Sequence, residues 1–205
     1  MAKTKIQPLP AASSSSSSED ECQCLQGEQK QTVYTVWMKS LVFNGNGCTV
    51  YGADGCIAFR VDNYGCRGGR EVFFMDCAGK SLIRIQRKSF AMFKRWEACR
   101  CYDGGEGLGE ETTTLWFRAR KARRNGATVT MHGSGRTYMI DGRSHKSDYR
   151  ISGADGAVVA AIGPKQTASG VVLGEDVLTL TVESEVDHLL VLGLVVVCGL
   201  MNRCM

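Results

Sequence analysis

Proline is almost missing from this sequence. The chain holds three, and Pro8 and Pro10 lie near its start, so only Pro164 interrupts the remainder. Proline cannot donate to a strand ladder, so its scarcity leaves the remainder free to pair. Histidine is equally scarce: His132, His145 and His188 are far apart. The ten cysteines include no C-x2-C pair. Cys22–Cys24 and Cys99–Cys101 are C-x-C pairs, and Cys48, Cys56, Cys66, Cys77, Cys198 and Cys204 are scattered. Without a familiar zinc spacing, neither a metal nor a cofactor is expected. No apolar block follows Lys3 and Lys5, which argues against a secretory signal, and "SEDE" with few arginines argues against a transit peptide. The thiols are therefore expected to be reduced and to act mostly as small apolar groups.

A long apolar run is also lacking. The longest, "LLVLGLVVVCGLM", extends from Leu189 to Met201, roughly 20 Å as a helix at 1.5 Å per residue. A bilayer core of about 30 Å needs about twenty residues, so no transmembrane span is expected. Ser184 and Asp187 have the spacing of a capping box, which predicts a helix over 185–201 with Arg203 near its negative end. The run is apolar on every side, so this helix should be surrounded rather than laid on a surface. Gly193 and Gly199 would let strands approach it. A central strand and a tail anchor are the alternatives.

Residues 1–30 differ from the rest. Six consecutive serines, two prolines and almost no large apolar side chain cannot bury enough surface to offset the entropy of ordering. They read as a disordered arm, and 31–205 as one domain. Net charge is +4, of which the arm contributes –1, leaving a mildly basic domain.

Between residues 32 and 183, short apolar runs alternate with glycine-containing turns. In "GCIAFRV", Ile57, Phe59 and Val61 should face one way. In "DVLTLTVE", Leu178, Leu180 and Val182 should face inward, and "GATVTMHG" and "DYRISG" alternate likewise. "VYGADGCIAFRV", "FFMDCAGKSLIRI" and "YRISGADGAVVAAI" each place an Asp/Gly turn between strands, as tight hairpins require. Ten to twelve strands without a long helical pattern among them predict a mostly β protein. The expected form is a closed antiparallel barrel enclosing the C-terminal helix.

Five blocks, "TVWMKSLVFNGNG", "VYGADGCIAFRVDNY", "FFMDCAGKSLIRIQRK", "FKRWEACRCYDG" and "VDHLLVLGLVV", occur in order over 32–201. Through them the chain resembles the plant LURP-one-related family, which is similar to the tubby C-terminal domain and the phospholipid scramblases. The resemblance implies a twelve-stranded barrel threaded by a hydrophobic helix. It also implies a setting in plant defence, with phosphoinositide recognition on the tubby side and lipid handling on the scramblase side. No binding site of either relative has a local match, so no functional residue is carried over.

The strongest candidate site is the basic segment "LWFRARKARRNG", with Arg118, Arg120, Lys121, Arg123 and Arg124 and no acid. On a strand, Leu115, Phe117 and Ala119 should face the core, and Trp116, Arg118 and Arg120 the outside. Arginine forks beside an aromatic suit phosphate oxygens of an inositol lipid or a nucleic acid. Arg84, Arg87, Lys88, Lys94 and Arg95 form a second basic set. The plain alternative is a solvated exterior whose charges discourage aggregation. "HGSG" at His132–Gly135 lacks the context of a nucleophile elbow, and Asp141 with His145 defines no geometry. Cys99 and Cys101 read as same-face strand residues, and the acidic loop 103–111 as a connector.

The expected function is non-enzymatic recognition of an anionic ligand, lipid head group or protein partner, with nucleic acid less favoured. A scramblase-like, tail-anchored protein is the alternative. A cytoplasmic monomer is expected, with nuclear entry and peripheral attachment to the plasma membrane left open.

Overall fold

The computed structural model describes residues 31–38, 47–62, 71–88, 95–102, 112–122, 126–142 and 148–202. The alternating segments form twelve strands in succession. They are β1 (Thr32–Trp37), β2 (Cys48–Tyr51), β3 (Ile57–Asp62), β4 (Glu71–Asp76), β5 (Ser81–Lys88) and β6 (Arg95–Tyr102), then β7 (Thr112–Lys121), β8 (Ala127–Met131), β9 (Thr137–Gly142), β10 (Tyr149–Gly153), β11 (Val158–Pro164) and β12 (Val177–Val182). Each pairs antiparallel with its sequence neighbours, and β1 closes the ring on β12 from Thr32↔Val182 to Trp37↔Val177. Closure leaves no open sheet edge.

The recurrent turns have a common construction. In the β2–β3 turn, Gly55 takes φ 77°, and the Cys56 N–H donates to Asp54 Oδ1 at 3.0 Å. The β10–β11 turn repeats this with Gly156 at φ 83° and the Ala157 N–H on Asp155 Oδ1 at 3.0 Å. A side chain at such φ would be strained, which explains the repeated Asp-Gly. The register then slips, Val50 facing Phe59 but Tyr51 facing Ile57, so Ala58 is the extra residue of a bulge. That slip corrects the expected alternation: Ile57 is exposed, while Phe59 packs on buried Phe74 with ring centroids 5.3 Å apart.

A twelve-stranded ring is too wide for its own side chains to fill; eight strands are about the limit. The helix α1 (His188–Asn202) occupies the interior, with Leu190 to Gly199 buried without interruption. Ten consecutive buried residues cover nearly three turns, so the helix has no exposed face there. It meets an inner wall that includes Val36, Phe74, Ile83, Phe117, Leu178 and Leu180, all fully buried. The central-strand and tail-anchor alternatives both give way to this packing. Among the described residues, no helix is long and apolar enough to cross a membrane.

The helix begins later than its sequence suggested. Ser184 lies in a turn before it, and the cap is Asp187, whose Oδ1 accepts the Leu190 N–H at 3.2 Å. Asp187 also accepts from Arg100 at 2.6 Å, which ties the cap to the barrel wall. At the far end, Lys121 Nζ donates to the carbonyl oxygen of Met201 at 3.4 Å, a favourable place for a cation. Arg203 lies outside the described residues.

Candidate anion-binding face

Antiparallel pairing brings the two basic segments together. Lys88, Arg95 and Arg120 are aligned across β5, β6 and β7, and one step along lie Gln86, Glu97 and Arg118. Their inward neighbours Ile85, Ala98, Phe117 and Ala119 are fully buried, which turns the charged positions outward. Thr128 and Thr130 of β8 continue the rows and are exposed.

Glu97 is the centre of this face. Its Oε1 lies 3.0 Å from Arg118 Nε and 3.2 Å from an Arg95 terminal nitrogen, and its Oε2 lies 3.5 Å from Lys88 Nζ. The Glu97 side chain is 14 % exposed, whereas Lys88 and Arg118 are each 45 % exposed. Burial pushes the Glu97 carboxyl up, but the Arg118 hydrogen bond and the charges of Lys88, Arg118 and Arg95 outweigh it, holding the group below the usual carboxylate range. One carboxylate thus orders three cations without neutralising them, and Arg120 adds a fourth. Such a face can present several donors to phosphate oxygens without first having to assemble them. Nearby, Arg84 is paired with Glu71, which raises the Arg84 pKa further.

The expected site is therefore divided and extended. Arg118 and Arg120 belong to the face, joined by Lys88 and Arg95 of the second basic set. Lys121 does not: it belongs to the opposite side of β7 and serves the helix terminus. Arg87 stands opposite buried Trp96 and likewise falls on the other side of the sheet. Arg123, Arg124 and Lys94 lie outside the described residues. Glu97 was missed, although its place two residues from Arg95 puts it on the same face of a strand.

Trp116 also departs from expectation. Ala98 faces Phe117, but Cys99 faces Leu115, so Trp116 is the extra residue of a bulge and not a member of the outer row. Its ring lies under the Arg100 guanidinium, 4.0 Å from the centroid, and packs beside Phe117 at 5.5 Å. Trp116 lines a cleft of about 410 Å³ at the start of the helix, with Met131, Arg136, Tyr138 and Val186. His132 is exposed in the adjoining turn, and Ser134 Oγ accepts the Arg136 N–H at 3.4 Å. His145 and the acidic loop 103–111 lie outside the described residues.

Cysteine chemistry follows burial. Cys48 is pushed up to about 12, first by desolvation and then by the charge of Asp62. Desolvation also raises Cys99, against the opposing influence of Arg84. Among the described residues, no group of three His, Cys, Asp or Glu side chains could hold a metal ion.

A family model described as LURP-one-related matches residues 32–199. Protein LURP-one-related 11 of Arabidopsis thaliana is 38% identical over 187 residues, covering 84% of this chain and 79% of that protein. Protein LURP-one-related 4 of the same plant is 38% identical over 174 residues, covering 84% and 80%. The X-ray structure of another Arabidopsis thaliana protein superposes with a TM-score of 0.57 at 15% identity, over 83% of this chain and 91% of that one, which supports the fold.

Proposed function

Because the chain belongs to the LURP-one-related family, whose names describe no reaction, we propose from the site itself that it is a non-enzymatic binding protein that recognises an anionic ligand, most suitably a phosphoinositide head group. The observation that carries this reading is the β5–β7 face, where Lys88, Arg95 and Arg118 gather on the carboxylate of Glu97 and Arg120 stands opposite Arg95. The non-catalytic part draws support from the raised pKa values of Cys48 and Cys99, which leave little thiolate at neutral pH. Ser134 Oγ is engaged by the Arg136 amide, which supports a turn-stabilising role for that hydroxyl. The proposed setting, from the family resemblance, is plant defence or stress signalling.

Sedimentation with vesicles of phosphatidylcholine and a bisphosphorylated phosphoinositide tests the reading. The parent should sediment with them and remain in solution with phosphatidylcholine alone. Arg118→Gln with Arg120→Gln should reduce binding by tenfold or more, since each charge-assisted contact is worth about 1 kcal/mol or more. Equal sedimentation of parent and variant would remove the anion-binding reading.

A further inference from the structure

The β11–β12 connection, residues 165–176, carries three consecutive exposed aliphatic side chains: Val171 at 61%, Val172 at 49% and Leu173 at 52%. Among the described residues, most other large apolar side chains are buried or half-buried. From this hairpin and its position we propose that the 165–176 segment is a wedge that enters the interfacial layer of an anionic bilayer. The inference rests on the anion-binding reading of the β5–β7 face and adds the surface on which that ligand is presented.

Three observations support it. First, the hairpin satisfies much of its own backbone. The Thr167 N–H donates to Val171 O at 2.8 Å, Gly170 to Thr167 O at 2.9 Å and Leu173 to Lys165 O at 2.9 Å. Thr167 Oγ1 takes the Val171 N–H at 3.1 Å, and Gln166 pairs with Val172. A segment entering a water-poor layer needs this, because unpaired amides are costly there. Second, the base is anchored. Lys165 Nζ donates to Thr35 Oγ1, and Trp37 Nε1 donates to Asp176 Oδ2 at 3.0 Å. A fixed base holds the apolar tip outward rather than letting it fold back.

Third, the topology puts the tip and the cations at one end of the barrel. Strands alternate in direction around a closed ring, so the end of β11, the end of β5, the start of β6 and the end of β7 share a rim. Lys88, Arg95 and Arg120 stand on that rim across from the hairpin. The helix ends there too, as the Lys121 contact with Met201 records. Among the described residues, the apolar tip and the cations thus belong to the same end of the barrel. Glu175 and Asp141 are exposed carboxylates on the same end, so the attraction comes from β5–β7 and the hairpin contributes apolar area. That division fits a membrane, where charge draws the protein in and aliphatic burial retains it.

The experiment uses the full chain with two probes: phosphatidylcholine vesicles containing a bisphosphorylated phosphoinositide, and soluble inositol hexakisphosphate. Val172→Ser with Leu173→Ser should weaken vesicle binding roughly tenfold to a hundredfold, from the loss of two half-exposed aliphatic groups, and leave the soluble probe unaffected. Val172→Trp should retain vesicle binding, with a blue-shifted emission quenched by brominated acyl chains. Unchanged vesicle binding in the serine variant, or an unshifted tryptophan, overturns the wedge while leaving the anion-binding reading intact. If Arg118→Gln with Arg120→Gln changes neither probe but the serine variant leaves the vesicles, the charge reading fails, and the wedge as proposed for an anionic bilayer fails with it. If the tip is instead protected by a co-purifying protein and the parent ignores vesicles, the wedge is wrong.

Discussion

Gly193 sits where the interior helix packs against Ile83 and Phe117 of the wall, and its substitution tests whether the strands truly clasp the helix. A Cβ built there would lie 3.2 Å from Ile83 Cδ1 and 3.5 Å from Phe117 Cε1, both fully buried side chains. Gly193→Ala gains about 1 kcal/mol of helix propensity. Against that stands one tight contact with the end of a flexible isoleucine, so the net change should lie within about 1 kcal/mol. Gly193→Leu forces further carbons into the same space and should cost about 1–3 kcal/mol or more by overpacking, a large part of a typical stability of about 5–15 kcal/mol. Urea unfolding reads this as a lower midpoint at unchanged slope. Adding Ile83→Ala to the leucine variant should recover part of the loss, with a coupling of about 0.5–3 kcal/mol. A leucine variant as stable as the parent, or additive double-variant energies, would refute the clasp.

Two further expectations follow from the helix cap and the charged face. Asp187→Ala should cost about 0.5–2 kcal/mol in urea unfolding, whereas Ser184→Ala, in the turn before the cap, should stay within about 0.5 kcal/mol; the reverse order would restore the capping box. Glu97 is held below the ordinary carboxylate range, so between the folded and unfolded values the unfolded state binds more protons. Its contribution is therefore fully present above about pH 4.3, the unfolded value, and is lost as pH falls through the lower folded one. Unfolding followed from pH 7 to pH 3 should fall more steeply for the parent than for Glu97→Gln, and parallel curves would contradict the depressed pKa.

Much of this molecule was legible because its signals are local. Alternation at Leu178, Leu180 and Val182 fixes which face is inside, and Asp54-Gly55 and Asp155-Gly156 mark hairpins. The uniform apolarity of 189–201 required burial all round, which only an enclosing wall provides. What failed depends on registers between segments. A one-residue slip moves Trp116 from the outer row and exposes Ile57, and nothing in "LWFRAR" or "GCIAFR" announces it. Asp187 rather than Ser184 caps the helix because the chain turns once more after β12, with the Val186 N–H on Glu183 O. Lys121 looked like one of five equivalent cations, yet strand parity sends it to the other side of the wall. The place of Glu97 among these cations depends on the pairing of β5, β6 and β7, which no single segment displays.

The same acid offers the most direct test. Vesicle affinity should move in opposite directions when opposite charges are removed from the β5–β7 face. Arg120→Gln should weaken binding to phosphoinositide vesicles severalfold, and Glu97→Gln, by leaving Lys88, Arg95 and Arg118 without their shared counter-charge, should strengthen it, with a steeper loss on adding salt. If both variants weaken binding alike, or neither changes it, this face does not recognise anions.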